Sequence, residues 1–468
     1  MADVQLYGLD PRWHHLTNVA VHALSATLLM LLLYRLTGSL WQGAFIAALF
    51  ALHPLHVESV AWVAERKDVL SAFFGFLTLL LYSEYRVRQN PVFYEFALYS
   101  FILGLMSKPM LVTMPLVMLL MDLYPLDPSR HGVRECTGLF ALVKEKISFF
   151  ACALLSCAIT VYAQYRGGAV VGLNVMPFQL RFENAVVAYM RYIGKTLYPH
   201  DLALLYPLQP SFPLWQVAGS SLALIAISLA AVGFRRRCPY LAFGWFWFLV
   251  TLVPVIGIVQ VGSQSMADRY SYIPITGLFV IAACGTADLT KRMRHREIAL
   301  ALVAGIILIA FTMATRRQIR YWRDSATLYQ HTLQVTSDNY MLHYNFGNFH
   351  SDNGDINSAI FEYREALLIR PGFVNARNNL GIALGRQGDL DAAIITFKEA
   401  IRDDPGFTDA YLNLGVALGK KGDIDAAIQV YREGIRTNPN NITAQHMLDN
   451  ALAQKNDSER SRDKLKNH

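Results

Sequence analysis

Charge is scarce in this chain of 468 residues. Only 16% of its positions are Asp, Glu, Lys or Arg and 54% are hydrophobic, where soluble globular proteins carry roughly 25% charged residues. That shortage excludes an ordinary soluble enzyme. Cysteine is also sparse: five residues, at 136, 152, 157, 238 and 284, with no C-x-x-C pair among them. A disulfide or zinc framework is therefore excluded, and the cysteines read as small hydrophobes. No Gly-rich nucleotide loop, G-x-S-x-G or H-E-x-x-H is present. The opening MADVQLYGLDPRWHH lacks the apolar region of a cleavable signal peptide. A net charge of +7 would suit nucleic acid in a soluble protein. Here the basic clusters fall between apolar runs, which makes them topology signals and excludes a nucleic-acid partner.

What is abundant is apolar sequence, and it is confined to one part. Runs long enough for a bilayer lie at 16–34, 41–56, 68–85, 92–107, 109–125, 146–163, 214–233, 239–257, 272–289 and 297–315, about ten in all. Arg86 and Arg88, the 126–145 segment with Arg130, Arg134 and Lys144, Lys146 just after it, Arg235 to Arg237, and KRMRHR (291–296) all fall on one side of that pattern, the cytoplasm. The opposite face receives 1–15, 57–67, the turn at Lys108, 164–213, 258–271 and everything after 316. Within 183–199, Arg191 and Lys195 interrupt the apolar positions four residues apart, as in a helix lying in the interface.

The polar part repeats itself. Gly354-Asp355, Gly388-Asp389 and Gly422-Asp423 recur every 34 residues, as do Gly347, Gly381 and Gly415, then Ala359, Ala393 and Ala427, and finally Pro371, Pro405 and Pro439. With Tyr363, Phe397 and Tyr431 this is the tetratricopeptide pattern, a helix–turn–helix unit that stacks into a solenoid. The predicted organisation is all-α. It comprises a multi-pass bundle (1–315), a linker (316–323), repeats with flanking half-units (324–454; full units 340–373, 374–407 and 408–441) and a polar tail (455–468). Such an array usually presents a concave surface to an exported protein or peptide; the bland alternative is that it only packs on the membrane domain.

One stretch mixes ionisable groups into this apolar setting. HPLHVESVAWVAERKD (53–68) places His53, His56, Glu58, Arg66 and Asp68 between two membrane-grade runs, on the outer face. The bland readings are an N-cap at Asp68, snorkelling by Arg66 and Lys67, and a helix end at His53-Pro54. The functional reading is a substrate site at the membrane boundary. Lys108 in Ser107-Lys108-Pro109, Arg269 and Tyr270 in GSQSMADRYSYIP (262–274), and Arg191 with Lys195 lie on the same face. Cations gathered there can hold a lipid-linked phosphate, and carboxylates can take a proton or hold a divalent cation. His53, His56 and Glu58 match no standard zinc spacing.

HPLHVESVAWVAERKDVLSAFF, LMSKPMLVTMPLVMLLMDLYP and MADRYSYIPITGL, followed by the repeats, resemble the bacterial relatives of the transmembrane-and-tetratricopeptide O-mannosyltransferases along almost the whole chain. The resemblance implies a GT-C glycosyltransferase architecture in the bacterial plasma membrane. It implies a sugar moved from a polyprenyl-phosphate donor to Ser or Thr of exported proteins on the noncytoplasmic face, where the repeats also lie. Asp68 and Glu58 take the catalytic positions by that resemblance; His53, His56, Arg66, Lys108, Arg191, Lys195, Arg269 and Tyr270 become candidate substrate contacts. The family's first helix and its outer loop with paired acids have no counterpart in MADVQLYGLDPRWHH, where Asp3 and Asp10 stand apart. The expectation is that this sequence starts downstream of that loop, or lacks its base and is inactive as written. A membrane-anchored scaffold without catalysis is the rival from another class.

Overall fold

The computed structural model describes residues 2–127, 138–167, 176–260 and 262–466; Arg130, Arg134 and Cys136 lie outside them. The chain divides into two compact units, Met1–Asp324 and Ser325–His468.

Among the described residues the first unit is a bundle of twelve main helices: α1 Pro11–Thr37, α2 Leu40–Leu52, α3 Arg66–Arg88, α4 Pro91–Ser107, α5 Met114–Leu123, α6 Leu139–Glu145, α7 Ile147–Arg166, α8 Phe178–Leu197, α9 Leu214–Gly233, α10 Pro239–Leu252, α11 Ile275–Leu289 and α12 Arg296–Tyr321. Their ends follow from local chemistry. Asp10 accepts from the Arg12 N–H and Pro11 opens α1, while Gly38 closes it in the left-handed conformation. Among the described residues, α1, α7, α9 and α12 are long and apolar enough to cross a membrane. A fifth candidate is α2 joined to Pro54–Ala61 across a 53° bend. Shorter apolar helices include α4, α10 and α11. On α7, α9 and α12 large apolar side chains such as Leu154, Leu222, Ile306 and Met313 are exposed, as a lipid solvent requires.

Several boundaries differ from the sequence expectation. The 41–56 run ends as helix at Leu52, because Pro54 carries no N–H for the ladder and the chain turns there. The linker 316–323 is instead helical to Tyr321. Asp68, for which an N-cap was the bland reading, is the third residue of α3, and Glu65 occupies the cap position without capping by its side chain. The interior is aromatic and tight. Between α10 and α11 the backbones cross at Gly244 and Gly277, where an added Cβ on either would overlap the other's carbonyl oxygen.

The second unit is built from α13 Ser325–Val335, α14 Tyr340–Asp352, α15 Ile356–Ile369, α16 Val374–Gln387, α17 Leu390–Asp403, α18 Thr408–Lys421, α19 Ile424–Thr437 and α20 Ile442–Lys466. The Gly-Asp period is a turn device. Gly354, Gly388 and Gly422 take φ of +81°, +100° and +92°, which glycine adopts without strain. Asp355, Asp389 and Asp423 then accept from the Ser358, Ala392 and Ala426 N–H groups and start each second helix. The polar tail expected from 455 is helical as far as it is described, since α20 continues through 455 to Lys466.

Glycines 347, 381 and 415 lie against the rings of Tyr363, Phe397 and Tyr431. A Cβ at Gly381 would stand 2.6 Å from Phe397 Cε1. Alanine gains about 1 kcal/mol of helix propensity over glycine, but overpacking typically costs about 1–3 kcal/mol. Gly381→Ala should therefore lower the unfolding temperature of the repeats, followed by circular dichroism; an unchanged or raised temperature would contradict this packing.

Candidate functional site

One end of the bundle collects the segments that the charge pattern had placed on one face. Here meet the 3-10 turns at Val63–Glu65 and Asp268–Ser271, the start of α3, and Lys108 at the end of α4. A two-strand ladder closes them, β1 Tyr206–Pro207 against β2 Gln264–Met266, antiparallel.

Two cations organise the cluster. Lys108 Nζ pairs with Asp68 and stands 3.5 Å from Glu65 Oε2. Arg269 pairs through its guanidinium with Glu58, donates its backbone N–H to Glu58 Oε2 at 2.8 Å, and faces Glu65 Oε1 at 3.6 Å. Both cations lie over the Tyr270 ring, at 5.8 Å for Lys108 and 5.0 Å for Arg269, and Arg269 also covers Trp62. Ser59 Oγ donates to the second Asp68 oxygen at 3.3 Å. All three carboxylates are buried. A narrow, partly open cleft lined by Asp68, Ser71, Lys108, Met110, Arg269, Tyr272 and Ile273 lies on the pair, with room of about 10 Å³.

Electrostatics distinguish the acids. Burial alone would raise Glu65, yet Lys108, Arg269 and Lys67 outweigh it and hold that carboxyl below its ordinary value. For Asp268 burial prevails over Lys195, the Tyr206 hydroxyl and Arg269, pushing it up to about 6; Tyr206 donates to it at 2.9 Å. A carboxyl that binds its proton more tightly folded than unfolded gives stability at low pH, lost as the pH rises through about 6. Asp268→Asn keeps an acceptor for Tyr206 and removes the titration. The apparent unfolding temperature of the variant should fall less than the parent's between about pH 4 and pH 7; parallel profiles would refute the assignment.

The structure brings Asp68, Glu58, Lys108, Arg269 and Tyr270 together, sets Lys195 over the Tyr206 ring beside Asp268, and gives the other candidates different partners. Arg66 donates to Asn18 Oδ1 at 2.8 Å and to the His14 carbonyl at 2.9 Å, fastening α3 to α1. His53 and His56 are buried, bonded to the Thr196 and Phe50 carbonyls at 3.0 and 2.6 Å, and packed on Phe311, Phe50 and Tyr272. Arg191 rests on Phe212, and Lys195 donates to the carbonyls of His200 and Asp201. Among the described residues no group of three or more His, Cys, Asp or Glu is placed to hold a metal ion. Glu65 was absent from the candidates. Its signal was its spacing, three residues before Asp68 on one helical face.

A second charged cluster, at the far end of the bundle, also escaped the sequence. Asp122 accepts from Lys146 Nζ at 2.6 Å and from the Tyr82 hydroxyl at 2.7 Å, while Arg86 reaches Glu145 at 2.7 Å. Arg86 and Lys146, read as topology signals, thus point into the protein; Arg235, Arg236 and Arg237 remain exposed.

The repeats define the first class: residues 344–406 and 378–442 match the tetratricopeptide repeat family. The chain as a whole is similar to animal protein O-mannosyl-transferases. It is 23% identical to human protein O-mannosyl-transferase TMTC1 over 81% of this chain and 48% of the relative. It is 24% identical to the Caenorhabditis elegans protein O-mannosyl-transferase F38B6.6 over 79% and 52%, and 25% identical to mouse TMTC4 over 76% and 55%. The chain thus spans about half the length of these relatives. Among solved structures, MamA matches 30% of this chain and 84% of its own at 25% identity and a TM-score of 0.27.

Proposed function

We propose that this protein is a membrane glycosyltransferase that moves a sugar from a polyprenyl-phosphate donor to Ser or Thr of exported proteins, on the noncytoplasmic face of a bacterial plasma membrane. The observation that carries the reading is the Lys108–Asp68–Glu65–Arg269 cluster, in a chain similar to O-mannosyl-transferases. In the proposed reaction the acceptor Oγ attacks the sugar C1 from the side opposite the phosphate. The C1–O bond to phosphate breaks, and polyprenyl phosphate leaves with the electron pair. Asp68 takes the hydroxyl proton, and Lys108 and Arg269 meet the charge that grows on the leaving oxygen. Inversion at C1 follows.

The cleft sets a condition. Its 10 Å³ holds about one water, so the donor's phosphate has to replace carboxylates around the two cations. That narrowness also favours a second reading, in which the bundle is an anchor and the repeats recruit exported proteins without catalysis. Full-length protein in lipid nanodiscs, given a radiolabelled polyprenyl-phosphate mannose and a Thr-containing peptide, decides between them: label on the peptide is expected, and its absence leaves the scaffold. Sidedness has its own test. A reporter active only in the cytoplasm, fused after Lys455, should be silent; strong activity would separate the repeats from exported acceptors.

A further inference from the structure

The second helices of the repeats, α15, α17 and α19, each bury one side. Ile360, Tyr363 and Ala366 face inward on α15, Ile394, Phe397 and Ala400 on α17, and Ile428 and Tyr431 on α19. Successive first helices touch one another, which leaves the second helices on the outer, convex side. Their outward positions keep the 34-residue period. Arg364, Lys398 and Arg432 share one of them, and Leu368, Arg402 and Arg436 share another, one turn further on. One turn before the first set stand Phe361, Ile395 and Gln429. All nine side chains are exposed, Phe361 and Ile395 to 59% and Leu368 to 75%.

The charge on this face runs against that of the repeats. Residues 325–454 hold ten Lys and Arg against fifteen Asp and Glu, yet five of the ten cations stand here. None of the five forms a salt bridge among the described residues. Neighbouring acids are turned to other partners: Glu399 to Arg377, Asp391 to Lys421 and Asp425 to Lys455. Glu433 stays exposed beside Arg432. A merely solvated helix face mixes both signs and gains from pairing them. Free cations interleaved with bulky apolar side chains suit a surface that lies on anionic headgroups, the cations on phosphate and the apolar groups in the acyl boundary.

The chain itself favours a bilayer over an acidic protein as the occupant. Helix α12 is long and apolar enough to cross a membrane, and its end carries the exposed Arg316, Arg317 and Arg320. Only Trp322, Arg323 and Asp324 separate it from α13, a tether of at most about 14 Å. So short a tether presents the membrane to the repeats at high effective concentration.

We infer that the convex face of the repeats docks on an anionic bilayer surface, with Arg364, Lys398, Arg402, Arg432 and Arg436 on the headgroup phosphates and Phe361, Leu368 and Ile395 entering the acyl boundary. The inference goes beyond the transferase reading and stands without it. Docking by this side leaves the concave side open to a partner.

The test is photo-crosslinking of the full-length protein in nanodiscs of phosphatidylglycerol, part of it bearing a diazirine beside the headgroup. Adducts are mapped by mass spectrometry, and those on α12 serve as the internal standard. Adducts are expected on α15, α17 and α19 and not on α14, α16 and α18. Nanodiscs of phosphatidylcholine with the same diazirine should give few on any repeat helix. A cation near an anionic surface is worth about fivefold in binding. Arg364→Gln, Lys398→Gln and Arg402→Gln together should therefore lower the ratio of docked to free repeats about 10²-fold. Salt raised to about 1 M, where the Debye length is about 3 Å, should release them too. Arg386→Gln with Lys420→Gln, a similar charge loss on the first helices, should change nothing. Phe361→Ser with Ile395→Ser keeps every cation, should also lower the yield, and serves where the glutamine variant melts early. Equal yields on first and second helices, equal yields in the two lipids, or full yield in the glutamine variant would overturn the inference. Adducts confined to α12 would overturn it as well and leave the face to an acidic protein.

Discussion

Asp68→Asn is expected to lower sugar transfer by about 10²–10⁴-fold, the range for loss of a general base, while membrane levels stay those of the parent. The structure makes this substitution informative. As a helix cap, Asp68 could be replaced by Asn at almost no cost. It is instead the third residue of α3, buried, and paired with Lys108. In the variant Lys108 keeps Glu65 at 3.5 Å, so the cation is not stranded and the local fold has a partner for it. An amide cannot take the acceptor's proton. Equal transfer rates for the two forms would remove Asp68 as the base, and Glu58 would be the next candidate, although its two oxygens are already engaged by Arg269.

The largest effect on stability is expected at the opposite end of the bundle. The side chains of Asp122 and Lys146 are both 0% exposed. Removing one partner of a buried ion pair leaves an uncompensated charge and typically costs about 3–5 kcal/mol. Asp122→Leu leaves Lys146 Nζ with the Leu142 carbonyl at 3.1 Å and also takes from the Tyr82 hydroxyl its acceptor at 2.7 Å, leaving it Glu145 Oε1 at 3.3 Å. A large fall in unfolding temperature in detergent should follow. Replacing both, Asp122→Leu with Lys146→Met, removes the stranded charge and should recover most of the loss. If the single variant melts with the parent, the network carries no stability; if the double variant is no better than the single, the cost lies in packing and not in charge.

What the sequence determined by itself was everything governed by period and by composition. The 34-residue spacing needs no tertiary information, because each Gly-Asp makes its own turn: the glycine supplies the positive φ and the aspartate caps the next helix four or fewer residues away. That the first part is built of apolar helices was legible for a similar reason, since each helix satisfies its own backbone; of the about ten runs expected as spans, four helices among the described residues, or five with the bent pair, are long and apolar enough to cross a membrane. In the cluster, Asp68, Glu58, Lys108 and Arg269 stood out in the sequence because charge is rare beside membrane-grade helices and each occurrence is conspicuous. Pairing was decided only by the fold. Arg269 meets Glu58 across 211 positions, whereas Arg66, in the middle of the same charged stretch, turns away to Asn18. Burial was decided there too: His53 and His56 became core groups, and Arg86 and Lys146 turned inward to Asp122 and Glu145. A charge announces itself in one dimension, but its partner and its solvent are set by which helices pack together, and that is long-range information no local spacing contains.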